Sequence, residues 1–272
     1  YTDRLEEDRE FGQEEMKRVG MLTLPHWNFS DHDAALRFIQ ENPGRYVYKP
    51  SGFVSSDYKG LLFLGKEEDG RDLYEILGHN KTMLGKKIKT FQLQKFASGV
   101  EVAASAFFNS RDFVGPVNIG FAHKRLFPGD IGPLTGEMGT SMFWCEPNTF
   151  FKATMGRMLD SLRQSDYVGY IDINCIANAR GIYPLEFTCR FGYPTISIQQ
   201  EGVLSEWGEF LHAIANHEPF DLKTKKGFQV GVVIATPPFP FEDKSQSNIY
   251  QGLSVLFKKP NLDGIHLGDL NI

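Results

Sequence analysis

The chain has 272 residues, and its 29 Lys and Arg against 34 Asp and Glu give a net charge of −5. This acidic balance argues against a general nucleic-acid binder, which needs a basic surface to neutralise phosphates. Apolar residues make up 41% of the chain, enough for a globular core, yet no apolar run approaches the ~20 residues that cross a bilayer. We therefore expect a globular protein with no nucleic-acid and no membrane partner.

Three widely spaced cysteines, Cys145, Cys175 and Cys189, form no CxxC pair. An odd number with this spacing predicts neither a disulfide framework nor a zinc site. We therefore expect a reducing, cytoplasmic setting. The sequence leaves the oligomeric state open.

Strand and helix signals are mixed along the first third of the chain. The expected elements are a helix over 4–19, a helix capped by Ser30 and Asp31 and stopped by Pro43, a strand over 46–49 that ends at Pro50, a small polar loop over 51–60, a strand over 61–64, a short helix over 72–79 and a strand over 91–96.

Strands dominate the rest. The expected elements are a hairpin of 101–109 and 113–122, a glycine-rich loop over 128–139, a helix over 150–163, strands over 168–177 and 182–190 joined by a short turn, a helix over 207–216 and a strand over 228–236. The elements follow no regular βαβ rhythm. This order favours an α+β protein with helices packed outside its sheets over a doubly wound fold.

Polar side chains alternate along the two strands that flank the short turn. Asp172 and Asn174 share one face of the first strand, and Glu186, Thr188 and Arg190 share one face of the second. An odd-length turn brings the two polar faces together and an even-length turn separates them. If the faces coincide, the oxygens suit Mg²⁺ and Arg190 can hold a phosphoryl oxygen. The alternative is a hairpin whose polar residues face water.

Three other stretches carry weaker signals, each of which also fits an ordinary loop or strand connection. Lys49 ends a strand and Lys59 lies in the small polar loop, where backbone N–H groups and lysines could hold phosphates. The segment 94–101 could present backbone groups to an adenine and Glu101 to a ribose. His123-Lys-Arg precedes the glycine-rich loop, which could bind an anion. Phosphate-loop, dinucleotide, zinc-protease and serine-hydrolase motifs are absent.

In their order along the chain, these stretches resemble the ATP-grasp ligases, and most closely the phosphoribosylamine–glycine ligases. The two most specific matches are 123–125 with 129–139, similar to H-K-R and G-D-x-G-P-N-T-G-G-M-G, and 186–195, similar to E-F-N-C-R-F-G-D-P-E. Residues 48–52 and 94–101 resemble the strand-lysine motif and the hinge of the family. The resemblance covers roughly residues 10–240.

The resemblance implies an ATP-grasp fold, in which two antiparallel β lobes with flanking helices clamp ATP. It implies a helical lead-in over 1–30, a small lobe over 31–95, a large lobe over 96–236 and a C-terminal extension over 237–272. The implied activity is amide formation through an acyl phosphate, with ATP and Mg²⁺ (or Mn²⁺) as cofactors. The implied partners are small molecules, an amino acid and an amine.

Site residues follow from the same resemblance. ATP contacts are implied for Lys49, Lys59, Gln94, Lys95, Phe96 and Glu101; metal contacts for Asp172, Glu186, Asn174 and Thr188; catalytic roles for Arg190, Lys124 and Arg125; and substrate contacts for Asp130, Pro133, Thr135 and Gly136.

The chain departs from the family pattern mainly on the substrate side. Thr188 stands where the family has a metal-binding Asn, Leu134 and Glu137 replace an Asn and a Gly, and Tyr193 and Thr195 replace the Asp and Glu of D-P-E. Two alternatives to the purine-pathway activity therefore stay open. One is a divergent ligase for another acid and amine, and the other is a nucleotide-binding module without catalysis.

Overall fold

The structure is a computed structural model that describes residues 1–51, 62–240, 252, 254–259 and 261–268. Lys59 and nearly all of the expected loop over 51–60 lie outside the described residues. Among the described residues, no helix has both the length and the apolar character needed to span a membrane.

A four-stranded antiparallel sheet forms the first part of the molecule, in the order β1-β4-β2-β3. Its strands are β1 (His26–Phe29), β2 (Tyr46–Ser51), β3 (Phe63–Leu64) and β4 (Thr90–Lys95). Helices α3 (His32–Glu41) and α4 (Arg71–Lys87) pack on one face, over a core that includes Tyr46, Tyr48, Leu73, Leu77, Phe91 and Leu93. Since strand side chains alternate, Lys49 and Gln94 point to the opposite face.

A six-stranded antiparallel sheet forms the second part, in the order β10-β7-β6-β5-β8-β9. Its strands are β5 (Val100–Asn109), β6 (Phe113–Phe127), β7 (Ile131–Cys145), β8 (Val168–Asn178), β9 (Gly181–Thr188) and β10 (Phe228–Val232). The two antiparallel sheets with flanking helices confirm the expected α+β class.

Helices cover one face of the large sheet and one end of its opposite face. The first face carries α1 (Thr2–Glu7) and α2 (Arg9–Arg18). It also carries a three-part helical segment made of α5 (Thr149–Ala153), a 3₁₀ turn (Met155–Met158) and α6 (Leu159–Gln164). Toward the opposite face lie α7 (Thr195–Gly202) and α8 (Trp207–Ala215), where Phe210 packs among Phe107, Val114 and Tyr170. The part of this second face that α8 leaves open carries Ser105, Asp172 and Asn174.

The helix expected over 4–19 is two helices. Asp8 has an extended backbone, and its carboxylate accepts a hydrogen bond from the Phe11 N–H at 3.1 Å, so it caps α2 and breaks the run. The short helix expected over 72–79 continues to Lys87, because Leu77 and Leu84 lie seven positions apart and are both buried.

The glycine-rich stretch over 128–139 is largely strand rather than loop. Strands β6 and β7 form a long hairpin whose turn includes Gly129 and Asp130, both with positive φ. A glycine is required at the end of this stretch, because a Cβ at Gly139 would lie 2.8 Å from the carbonyl oxygen of Gly231 on β10. A missing side chain here permits close strand approach, which composition alone cannot distinguish from loop freedom.

Several expected boundaries also differ. Strand β2 continues through Pro50, which pairs opposite Phe91, and the last strand ends at Val232. The helix expected over 150–163 is the three-part segment ending at Gln164. Strand β1 lies before residue 31, which is the expected start of the small lobe.

Candidate active site

The β8–β9 hairpin brings its polar side chains together. Asp172 lies opposite Thr188, and Asn174 lies opposite Glu186. Because directly opposed residues of an antiparallel pair point to the same side, these four share a face. Together with Arg190 they line a cavity of about 210 Å³. The structure therefore selects the register in which the polar faces coincide.

A β-bulge, not the turn length, decides this register. Two residues separate the paired Asn178 from the next strand, and that even-length turn alone would set Asp172 opposite Phe187. Leu185 is an extra residue on β9 that shifts the pairing by one. The carbonyl oxygen of Leu185 accepts a hydrogen bond from Nε2 of the buried Gln13 at 2.8 Å. Helix α2 thus supports the bulge.

Asp172 and Glu186 have opposite electrostatic surroundings. Burial raises the pKa of Asp172 to about 6, although Oγ of Ser105 donates to its carboxylate at 2.7 Å. Burial acts in the same direction on Glu186, but nearby cations outweigh it and lower the pKa of Glu186 to about 2. The side chain of Glu186 is only partly buried, which leaves it open to a ligand.

Three cations surround Glu186. Nη1 of Arg9 lies 2.8 Å from its carboxylate, and Lys124 and Lys49 add positive charge. Burial is the main cause that lowers the pKa of Lys49 to about 8, and the charge of Arg9 adds to it. This concentration of positive charge between the two sheets suits phosphate groups.

The ammonium of Lys49 donates to Oε1 of Gln94 at 2.7 Å. Nε2 of Gln94 is buried without a hydrogen-bond partner among the described residues. Lys124 contacts Glu101, and Nδ2 of Asn174 donates to the same Glu101 oxygen at 2.6 Å. Burial alone would lower the pKa of Lys124, but Glu101 and Glu186 raise it overall.

Arg9 is a site residue that the sequence analysis missed. Its Nε donates to the carbonyl oxygen of Pro50 at 2.8 Å while its Nη1 contacts Glu186, so it joins both sheets. Helix α2 carries many charges, and their sequence does not indicate which one turns inward.

Arg190 lines the cavity but is tied to the N-terminal helices. Its Nε donates to Oε1 of Glu6 at 3.0 Å, and the other oxygen of Glu6 accepts from the Cys189 N–H at 2.9 Å. The Arg190 side chain is 65% exposed, so it can exchange this partner for a ligand.

Two residues of the expected hinge point elsewhere. The Lys95 side chain lies over the Tyr46 ring at 4.1 Å, on the helix-covered face of the small sheet, and the Arg45 guanidinium stacks on Phe96 at 3.5 Å. Strand alternation sends Gln94 to one face and Lys95 to the other. The side chain of Lys95 is therefore not beside Lys49.

Most of the expected hairpin residues also lie away from the cavity. Gly136 lines it. Arg125 donates to the carbonyl oxygen of Gly132 at 2.8 Å, Thr135 donates to that of Lys124, and Asp130 is exposed in the turn. Pro133 lies on β7 before Gly136 and is not among the lining residues. These residues lie toward the tip of the long β6–β7 hairpin.

The cavity is also lined by polar residues that were not expected to belong to the site. Two of them are Glu137 and Thr195, which were noted above only as departures from the family pattern. The Thr195 hydroxyl donates a hydrogen bond to the Glu137 carboxylate at 3.2 Å. Burial is the main cause that raises the pKa of Glu137 to about 7. Asn118 and Thr140 also line the cavity, and an alternating strand gives no signal for them.

The candidate metal residues are two carboxylates, Asp172 and Glu186, with neutral oxygens of Asn174 and Thr188. Among the described residues, no three His, Cys, Asp or Glu side chains form a metal-binding group. Mg²⁺ commonly binds one or two carboxylates together with substrate phosphates. The donor set therefore fits Mg²⁺ bound with a nucleotide.

A known protein family matches most of this chain. The model of the phosphoribosylglycinamide synthetase ATP-grasp (A) domain matches residues 7–196. The match covers well over half of the chain, and the chain belongs to this family.

Individual relatives are similar over most of this chain but are longer. The phosphoribosylamine–glycine ligase of Streptococcus pneumoniae is 28% identical over 250 residues, which are 88% of this chain and 58% of that protein. That of Listeria monocytogenes is 26% identical over 262 residues, 92% and 60% of the two chains. The chain thus spans less than two thirds of these relatives.

Solved structures share the fold. The phosphoribosylamine–glycine ligase of Thermotoga maritima superposes with a TM-score of 0.64 at 22% identity, covering 87% of this chain and 61% of that one. A biotin carboxylase domain from Hydrogenobacter thermophilus gives a TM-score of 0.58 at 14% identity, covering 84% and 50%.

Proposed function

We propose that the protein is an ATP-dependent carboxylate–amine ligase that forms an amide through an acyl phosphate. The observation that carries this proposal is the cluster of Arg9, Lys49 and Lys124 around Glu186, beside Asp172. The cations neutralise phosphates, and the two carboxylates would hold a divalent ion. Phosphoryl transfer needs this positioning and charge neutralisation more than a nucleophilic side chain.

Each group of residues has a role in this proposal. Arg9, Lys49 and Lys124 bind the phosphates, and the resemblance implies the same role for Lys59, which lies outside the described residues. Nε2 of Gln94, which has no hydrogen-bond partner in the described part of the chain, binds the adenine edge, and Glu101 binds the ribose. Asp172 and Glu186 would hold Mg²⁺, which would supply charge neutralisation for the phosphates.

Arg190 leaves Glu6 to hold the transferred phosphoryl group. The substrate carboxylate attacks the γ-phosphorus, and ADP leaves. The amine nitrogen then attacks the acyl carbon, phosphate leaves, and the proton from nitrogen passes to solvent.

The names of the relatives favour glycine and phosphoribosylamine as the substrates. The carboxyl group of glycine is then the group that ATP activates. A second candidate is a ligase for a different acid and amine. The presence of Thr188, Glu137 and Thr195 in the cavity favours this candidate, because these positions depart from the family motifs.

Two measurements on the chain test the proposal. Calorimetry measures Mg·ATP binding, and a phosphate assay measures ATP turnover with glycine, with freshly generated phosphoribosylamine, with both and with neither. Release that needs both substrates supports the purine-pathway reaction. Binding without release points to the different-substrate candidate or to a nucleotide-binding module without catalysis, and absence of Mg·ATP binding overturns the ligase proposal.

A further inference from the structure

Glu137 brings a carboxylate to the cavity wall from an irregular part of the β6–β7 ladder. His123 pairs with Gly139, but Arg125 pairs with Leu134, so β7 has extra residues between these two pairs. The irregularity lets Glu137 line the cavity together with Thr140, although the two are an odd number of positions apart.

Among the described residues no cation pairs directly with Glu137, although the charge of Lys124 is close enough to act against the burial that raises the pKa of Glu137. Within the described part of the chain, its carboxylate forms no ion pair, and its hydrogen-bond partner is the Thr195 hydroxyl. The cations that line or adjoin the cavity have other partners: Lys124 contacts Glu101, Arg9 contacts Glu186, Arg190 contacts Glu6, and Lys49 contacts Gln94.

A second, independent observation comes from neutral side chains of the same cavity. Nδ2 of Asn118 and Oγ1 of Thr140 are buried and have no hydrogen-bond partner among the described residues. Buried donors of this kind cost free energy unless a ligand or water pairs with them. They fit an acceptor oxygen of a small molecule.

We propose that Glu137 binds the ammonium group of a substrate whose acceptor oxygen pairs with Asn118 and Thr140. The substrate class is a small primary amine that also carries a hydroxyl or carboxylate oxygen, such as an amino acid or an amino alcohol. This inference rests on the proposed ligase function, because it assigns Asp172 and Glu186 to the metal and leaves Glu137 for the organic substrate.

Two other roles make different predictions. Glu137 as a further metal ligand would contribute to Mg·nucleotide binding. Glu137 as a protonated acid that only holds Thr195 would not distinguish an amine from an alcohol of the same shape.

Calorimetry on the chain saturated with Mg·ADP separates these roles. The probes are glycine, L-alanine and ethanolamine, each paired with its hydroxyl analogue: glycolate, L-lactate and ethylene glycol. We expect at least one amine to bind the wild type more tightly than its analogue. The isosteric variant Glu137→Gln should weaken the binding of that amine by about tenfold to a hundredfold, because it removes a buried charged partner.

The same variant should leave Mg·ADP and the hydroxyl analogues within about twofold of their wild-type affinities. Glu137→Lys, which places a positive charge at this position, should abolish amine binding and keep Mg·ADP binding. Glu146→Gln is the matched control, because Glu146 is exposed directly after β7.

Three results overturn the inference: no amine binds the wild type, the amine binds wild type and Glu137→Gln equally, or Glu137→Gln loses Mg·ADP affinity. A wild type that binds no Mg·ADP overturns the ligase proposal itself, which is read from the nucleotide titration before any amine is added.

Discussion

Nη1 of Arg9 lies 2.8 Å from the carboxylate of Glu186, across 177 positions of sequence. The same guanidinium donates to the backbone of Pro50 on the small sheet. One side chain of an N-terminal helix thus holds a strand of each sheet beside the cationic cluster. The N-terminal helices are part of the site as well as a cover for the large sheet.

Arg9→Ala should weaken Mg·ATP binding by about tenfold or more, because it removes a charged donor from the phosphate region. Calorimetry measures the change. Arg37→Ala is the control, since Arg37 is exposed on α3 and should leave binding unchanged. An Arg9→Ala variant that binds Mg·ATP as the wild type does would contradict the role of Arg9.

Glu186→Ala should abolish metal-dependent turnover, since it removes the carboxylate that the cations hold ionised through the whole neutral pH range. Phosphate release at saturating Mg·ATP and substrates measures the loss. Glu201→Ala provides an exposed carboxylate control on α7. An unchanged rate in Glu186→Ala would disprove the proposed metal site.

Asp172→Asn should stabilise the metal-free protein above pH 6 while impairing turnover. The folded-state pKa of Asp172 is raised from 3.8 to about 6, so the native state binds more protons than the unfolded state between these values. The contribution of Asp172 to stability therefore falls as pH rises through this window.

Urea unfolding in EDTA at pH 4 and pH 7.5 measures this effect. The stability of Asp172→Asn relative to wild type should be greater at pH 7.5 than at pH 4. A difference that is equal at both pH values, or that reverses, would contradict the raised pKa.

Gln13→Ala should lower the free energy of unfolding by about 1–3 kcal/mol, because it leaves the carbonyl of Leu185 without its donor. Urea unfolding measures the loss, and Glu14→Ala at the neighbouring exposed position should have little effect. If both variants unfold alike, Gln13 does not support the bulge.

The order of the motifs and the alternation of polar residues could be read from the sequence. The α+β class, the family and the shared face of Asp172 with Asn174 and of Glu186 with Thr188 depend on local patterns, and strand alternation is a local property. The same applies to the cap at Asp31, which starts α3 by accepting from the N–H groups of Asp33 and Ala34.

Tertiary structure decided the rest, because it depends on contacts between distant segments. The two-residue turn predicts the wrong partner for Asp172, and the bulge at Leu185 that corrects it is supported by Gln13 from another element. Pairing with β6 makes most of the glycine-rich stretch a strand, and β10 approaches it closely at Gly139. Arg9 and Glu137 enter the site only through the packing of a helix and a ladder irregularity, and no local pattern encodes either.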